Sequence, residues 1–311
     1  MADKETTKLY DLVIVGGGPA GLNAALYASR AGLDTVLLEG MIPGGKLYST
    51  NEVENWIGDT IIGGAELAGR MVEHAFAFGA EQGFGMVSDI REMGATKEVE
   101  TYDKIYQTKS VLIAVGTVER KLGIPGEEEY FGKGISYCAV CDGAFYKDKI
   151  VTVIGGGNTA LEESDYLTRF AKQVHLVLRR NEARADKIYQ DRVANNPKIT
   201  VHYSYSPVEV RGNDDKLTEI LLKSNDPNRP EDKLLKTDGL FPLIGVDPNT
   251  TFISALGITD ANGYIVTDEK MATRVPGIYA AGDCRDKELR QIITAGNDGA
   301  IAAQAISAWL S

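Results

Sequence analysis

The chain has 311 residues, 43% of them hydrophobic and 25% charged, which is ordinary soluble composition and enough length for two medium domains. Its net charge of −11 argues against nucleic acid or an anionic membrane as partner, because both require a basic surface. No run of about 18 apolar residues is present, and no apolar stretch follows basic residues at the N-terminus. Neither a membrane span nor a secretory signal is therefore expected, and the location reads as cytoplasmic.

In chain order, the first patterned segment is Asp11–Val15, an apolar, β-branched run that reads as a buried parallel strand. Gly16-Gly17-Gly18-Pro19-Ala20-Gly21 follows at once, then a helix over Leu22–Ala31, a stop at Gly32 and a second strand over Thr35–Leu38 that delivers Glu39. Strand, G-x-G-x-x-G, helix, strand and acid together form a dinucleotide-binding pattern. Gly16 permits the tight turn, Gly18 lets backbone approach a pyrophosphate, and Gly21 lets the helix pack closely on the strand. The helix N-terminus offers free N–H groups to the phosphates, and Glu39 is placed to bind a ribose hydroxyl.

The pattern recurs further along. A strand over Lys149–Ile154 leads into Gly155-Gly156-Gly157-Asn158-Thr159-Ala160, a helix over Leu161–Phe170 and a strand over Val174–Leu178. Ala160 replaces the third glycine and is still small. Arg179 and Arg180 stand where the acid would be, with Arg184 one helical turn on. Arginines there pair with a 2′-phosphate, so the second site favours NADPH over NADH; the plainer reading is a solvated basic patch. Two such folds imply two dinucleotides, one a bound flavin and the other a diffusing nicotinamide.

Cysteine occurs at 138, 141 and 284. Cys138-Ala139-Val140-Cys141 admits three readings: half of a zinc site, two inert core thiols, or a redox pair. Zinc needs four ligands, and His74, His175 and His202 are scattered through the sequence with no second pair at ligand spacing. Redox exchange is the strongest reading, since a dithiol beside a flavin can take two electrons and pass them on. Asp142, next to Cys141, is a candidate general acid or else a turn cap. Cys284 reads as a buried thiol.

Residues 198–246 read as strands over Ile199–Tyr203, Val208–Val210, Thr218–Leu222 and Gly239–Pro242, with a hairpin turn over Asn225–Asp232. From 247 onward the chain returns to the first domain. It forms a short buried strand ending in Gly282-Asp283, then an Ala-rich helix over Gln291–Leu310 that reads as largely buried.

Residues 9–310 resemble the low-molecular-weight thioredoxin reductases of bacteria. The likeness rests on the order and spacing of several stretches. They are Gly16–Gly21, Gly44-Gly45-Lys46-Leu47, Glu52-Val53-Glu54-Asn55-Trp56, Leu122–Gly126, Cys138-x-x-Cys141-Asp142, Gly155–Ala160 with Glu162-Glu163, and Gly282-Asp283 with Arg290-Gln291. The resemblance implies an α/β protein of two Rossmann-like domains, the second inserted into the first: an FAD domain of residues 1–118 and 247–311, and an NADPH domain of residues 119–246 carrying the dithiol.

It further implies that Gly16, Gly18, Pro19, Ala20, Gly21 and Glu39 hold the adenosine and pyrophosphate of FAD. Gly45, Lys46, Leu47, Asn55, Gly116, Gly282, Asp283, Arg290, Gln291 and Ile292 would approach the rest of that cofactor. Gly155, Gly157, Asn158, Thr159 and Ala160, with Arg179, Arg180 and Arg184, would hold NADPH. Cys141 would face the flavin and Cys138 would attack thioredoxin or a related small disulfide protein. By the same resemblance the protein is a homodimer whose domains alternate between two orientations. Two positions depart from the family. Leu178 stands where NADPH users carry histidine, and Lys46 stands where they carry glutamine. The first keeps open a ferredoxin-dependent reductase of the same architecture. A third reading, from another class, is a flavin-binding module without thiol turnover.

Overall fold

The computed structural model describes residues 5–50, 52–213 and 216–311. It divides into two compact units, Met1–Val118 with Asp247–Ser311, and Glu119–Val246. Both are α/β, as expected from the sequence.

The first unit opens with β1 (Glu5–Val15), α1 (Pro19–Arg30) and β2 (Thr35–Glu39), followed by α2 (Gly64–Phe76), β3 (Glu81–Phe84), β4 (Val87–Met93), β5 (Thr96–Thr101) and β6 (Lys104–Ile113). The second carries α3 (Ala139–Asp142), β7 (Ile150–Ile154), α4 (Asn158–Leu167), β8 (Gln173–Leu178), α5 (Lys187–Asn195), β9 (Ile199–Tyr203), β10 (Tyr205–Gly212), β11 (Leu217–Ser224), β12 (Lys233–Lys236) and β13 (Gly239–Pro242). The chain then returns to the first unit with β14 (Ile278–Ala280) and α6 (Ile292–Leu310).

In the first unit the order β3-β2-β1-β6 is parallel, and β6 serves two neighbours on its far edge. Its first half pairs antiparallel with β5, while Val111–Ile113 pair with Ile278–Ala280 of β14. Along β1 the burial alternates in destination. Leu12 and Ile14 pack with Ala24, Ala25, Ala302 and Ile306 of α1 and α6, and Val13 and Val15 pack with Ile90, Val99 and Ile278. A strand covered on both faces reads as a continuous apolar run, which is why Asp11–Val15 was legible. β1 extends further toward the N-terminus than that reading, as far as Glu5, through a shifted register against β6.

The second unit pairs β9-β8-β7-β13 in parallel, beside an antiparallel β10-β11-β12 sheet. Val151 and Val153 pack on Ala160, Leu161 and Leu167 of α4, whereas Ile154 and Val177 pack with Leu217, Ile220 and Leu222. Strand β10 is longer than the expected Val208–Val210, and its register slips beside Pro207, where a residue without an N–H is tolerated.

Two expectations are corrected. Residues 179–186 are bends and loop, not helix, and α5 begins only at Lys187, so Arg184 does not lie one helical turn beyond Arg180. Helix α6 is buried along one face only; Ile293 and Trp309 are each 45% exposed. Its small residues follow from that face's close approach to α1, where a Cβ on Gly299 would collide with the Ala20 carbonyl oxygen.

Candidate active site

The first glycine turn is built by backbone demands. Gly16 has φ +105, and a side chain there would run into the Ala114 carbonyl. A Cβ on Gly21 would strike the Gly16 carbonyl oxygen, so the helix can sit this close to the turn only without one. Helix α1 starts at Pro19, with Gly18 as its N-cap and no side-chain cap. Proline is suited to that position because its missing N–H is not needed there. The N–H groups of the first turn are left for something else to satisfy, and the position a Cβ on Gly18 would take is open space.

Glu39, at the end of β2, closes this turn: its carboxylate accepts the N–H of Gly17 at 2.7 Å and of Gly40 at 2.8 Å. Oε1 accepts the Met41 N–H as well, at 3.3 Å, so the acceptor capacity left for a sugar hydroxyl lies on Oε2, which holds the Gly17 N–H alone. Gly44 N–H donates to Gly17 O at 2.7 Å, which brings the loop of Gly45, Lys46 and Leu47 beside the turn; Lys46 is exposed and Leu47 buried.

At the other end of the unit, Asn55 Nδ2 donates to Gln291 Oε1 at 3.0 Å, and Gln291 caps α6 ahead of Ile292. Arg290 stacks 4.3 Å from the Tyr264 ring and donates to the Asp283 carbonyl at 3.3 Å. Asp283 follows Gly282, whose N–H donates to Asp298 Oδ2 at 3.0 Å. Arg285 and Lys287 donate to the same oxygen at 2.9 and 2.7 Å. Among the described residues, Asp283 Oδ1 is the one buried side-chain oxygen without a hydrogen-bond partner, and burial raises this carboxyl above its usual range. A buried acceptor with no donor fits a ligand that brings a hydroxyl. The uncapped α1 N-terminus, the open space at Gly18 and the orphaned Asp283 oxygen thus suit the pyrophosphate and polyol of a flavin dinucleotide. Gly116, at φ +61, receives the N–H of Asn249 and has open space around it.

The second unit repeats the device. Gly155 turns the chain at φ +153 against the buried Ala160, and α4 starts at Asn158 after the N-cap Gly157, with no side-chain cap and open space where a Gly157 Cβ would lie. The Asn158 amide is held by Asp186 through two 2.7 Å hydrogen bonds, and Arg184 N–H donates to Gly156 O at 2.7 Å. These bonds draw the 179–186 loop onto the glycine turn, with Arg179, Arg180 and Arg184 exposed. Thr159 is exposed in the first turn of α4.

Cys138 and Cys141 form a disulfide, with Cα atoms 5.4 Å apart. The pair spans α3: Cys138 is its N-cap, half-buried, and its Sγ accepts the Cys141 N–H at 3.1 Å, while Cys141 is exposed. Asp142 closes the short helix and is half-buried. Two carboxylates frame the segment, neither given a role by the sequence reading. Glu127 accepts from the N–H groups of Leu122 and Gly123 and from the Tyr137 hydroxyl, all within 2.7 Å. Glu163, on α4, accepts the Ala139 N–H at 3.2 Å. Its position was readable in principle: it lies on the same helix face as Ala160 and Leu167, where an acid is unusual.

Cys284 is fully buried, and desolvation raises its thiol to about 11, as expected of an inert core thiol. His175 and His202, far apart in sequence, meet at 3.1 Å across β8 and β9. Among the described residues no group of three or more His, Cys, Asp or Glu is placed to hold a metal, and no helix is long and apolar enough to cross a membrane.

Residues 10–299 match the family model described as pyridine nucleotide-disulphide oxidoreductase. The chain is 45% identical to the thioredoxin reductase of Listeria innocua, over 98% of this chain and 94% of that protein. It is also 45% identical to that of Bacillus subtilis, over 97% and 95%. Among solved structures, Lactococcus lactis thioredoxin reductase superposes with a TM-score of 0.95 at 44% identity, covering 97% of this chain and 99% of that one.

Proposed function

The chain belongs to the pyridine nucleotide-disulphide oxidoreductase family, among its thioredoxin reductases, and from that premise we propose that it carries electrons from NADPH to the disulfide of a thioredoxin. The observation that carries this reading is the closed Cys138–Cys141 pair at the start of a short helix, on a unit with its own glycine turn. The residues described fit a flavin dinucleotide on the first unit and a nicotinamide dinucleotide on the second. Bound there, the flavin supplies two-electron transfer between nicotinamide and disulfide.

Gly18 and the first turn of α1 hold the pyrophosphate of FAD, Glu39 its adenosine ribose, and Asp283 its polyol chain. Gly157, Thr159 and the first turn of α4 hold the pyrophosphate of NADPH through backbone N–H groups, while Arg179, Arg180 and Arg184 select its 2′-phosphate.

Once reduced, the Cys138 sulfur attacks one sulfur of the thioredoxin disulfide, forming a mixed disulfide and freeing a thioredoxin thiolate. Cys141 then attacks Cys138, which closes the internal bond and releases the second thioredoxin sulfur; Asp142 gives a proton to a departing thiolate. The N-cap place of Cys138 and the N–H it accepts favour its thiolate, supporting Cys138 as the attacking sulfur. The reading includes a cytoplasmic homodimer.

Anaerobic titration of the purified protein with NADPH tests it, followed at the flavin band at about 450 nm. Bleaching, with recovery on adding oxidised thioredoxin, is the expected result. A flavin that stays oxidised under NADPH but bleaches with reduced ferredoxin would sink the NADPH assignment in favour of the ferredoxin-dependent alternative. Bleaching without transfer to any disulfide protein, and unaffected by Cys138→Ser, would leave a flavin-binding module.

A further inference from the structure

Ala139, between the two redox cysteines, donates its N–H to Glu163 Oε2 at 3.2 Å. Glu163 is partly buried, and among the described residues the charges that shift it are Glu162 on its own helix and Glu119 at the start of the second unit, both negative. From α3 it meets the Ala139 N–H. Lack of water, opposed in part by that N–H, lifts its carboxyl to about 7. An uncompensated acid is thus held against the N-terminal turn of the dithiol helix, where it takes up an N–H that would otherwise favour a thiolate at Cys138.

We propose that Glu163 is a positioning residue that tunes the dithiol: its negative charge disfavours the Cys138 thiolate and makes the reduced pair a stronger reductant. Reduction breaks the S–S bond with two electrons and leaves two sulfur anions. Protons from water neutralise one or both, so wherever a thiolate persists the reduced state carries a charge the disulfide does not. A nearby carboxylate raises the free energy of that state alone and lowers the reduction potential. The thiol pKa rises for the same reason, which lets the reduced pair give up its electrons more readily. This inference rests on the proposed thiol chemistry of the same site, but its test needs neither NADPH nor thioredoxin.

The test is equilibration of the flavin-loaded protein with graded mixtures of reduced and oxidised dithiothreitol. The Cys138–Cys141 state is read by alkylation and mass. Glu163→Gln keeps an oxygen for the Ala139 N–H and removes the charge. At pH 8 it is expected to favour the dithiol about tenfold over the parent protein, a rise of ~30 mV in potential. The pH dependence of iodoacetamide labelling should show a lowered Cys138 pKa. At pH 6, where the parent carboxyl is itself protonated, the difference should shrink. Glu163→Asp, which keeps the charge, should stay closer to the parent than Glu163→Gln does. Equal potentials for parent and Glu163→Gln at pH 8, or the same offset at pH 6 and pH 8, would overturn the proposal. Retained flavin absorbance and an unchanged melting curve establish that the variants are folded. Should Glu163→Gln not fold, Glu163→Ala, which also removes the charge, takes its place with the same expected and overturning results. Failure of NADPH to bleach the flavin would defeat the functional reading and leave this measurement standing.

Discussion

His175 and His202 show what burial does to single residues. They meet at 3.1 Å with their rings partly buried, and the lack of water pulls both below the ordinary histidine value. For His202, held also by the like charges of His175 and Lys233, the fall is to about 4. The folded chain keeps the pair neutral, while the unfolded chain binds protons from about pH 6.5 downward. Their effect on stability is therefore absent above pH 6.5 and grows as a loss as the pH falls toward 4. Replacing His202 with glutamine should recover roughly 1–3 kcal/mol of that loss, reduced from the full shift because the ring is partly exposed. Urea midpoints of the two proteins at pH 7.5 and pH 4.5 check this; equal acid losses would clear the pair of the role. Sequence alone offers two histidines on separate strands, and nothing local says that they face each other. By contrast Cys138 and Cys141 were legible together, because a pair two residues apart can close within one turn.

Among elements, α6 shows its alanines in the sequence but not the partners of its single buried charge. Asp298 lies on the stripe of Ala295, Gly299 and Ala302, and holds Arg285, Lys287 and the Gly282 N–H on one oxygen. This ties the helix to the turn that presents Asp283. Asp298→Asn would leave two cations without their buried counter-charge, at a cost of about 3–5 kcal/mol. It should also release flavin more readily, because the Gly282 turn loses its anchor. Thermal melts and flavin retention on gel filtration measure the two effects; a variant as stable and as yellow as the parent would show that the cluster is dispensable. An acid in an Ala-rich stripe is a signal that a partner exists, but the partner's identity comes from a different segment. The glycine turns behave differently. Their meaning is confined to one strand, one turn and one helix start, so G-x-G-x-x-G and its second copy could be read without any contact beyond them. The helical spacing expected of Arg184 fails because the 179–186 loop is shaped by bonds to Asn158 and Gly156 in the neighbouring turn.

At the scale of the whole molecule, the first unit is completed by segments on either side of the second. β14 pairs with the end of β6, and α6 packs on α1, so residues 1–118 alone lack an edge strand and a covering helix. A fragment ending at Val118 is expected to leave Leu12, Ile14 and Leu112 partly exposed, to aggregate and to retain no flavin. A fragment of residues 119–246, with both its sheets and its core contained in one stretch, is expected to fold alone. Circular dichroism and analytical gel filtration of both fragments check this; a stable, flavin-binding 1–118 fragment would show that the returning segment is not needed. By itself the sequence determined the two glycine turns, the parallel strands that feed them, the redox pair and the family, since each depends on residues adjacent in the chain or on their order along it. Only the tertiary structure decided the partners of Asp298, the meeting of His175 with His202, the placing of Glu163 against the cysteine turn and the bare oxygen of Asp283. Those depend on the desolvation and approach of groups from separate segments, and no local spacing encodes how closely such groups will come or how much water they will keep.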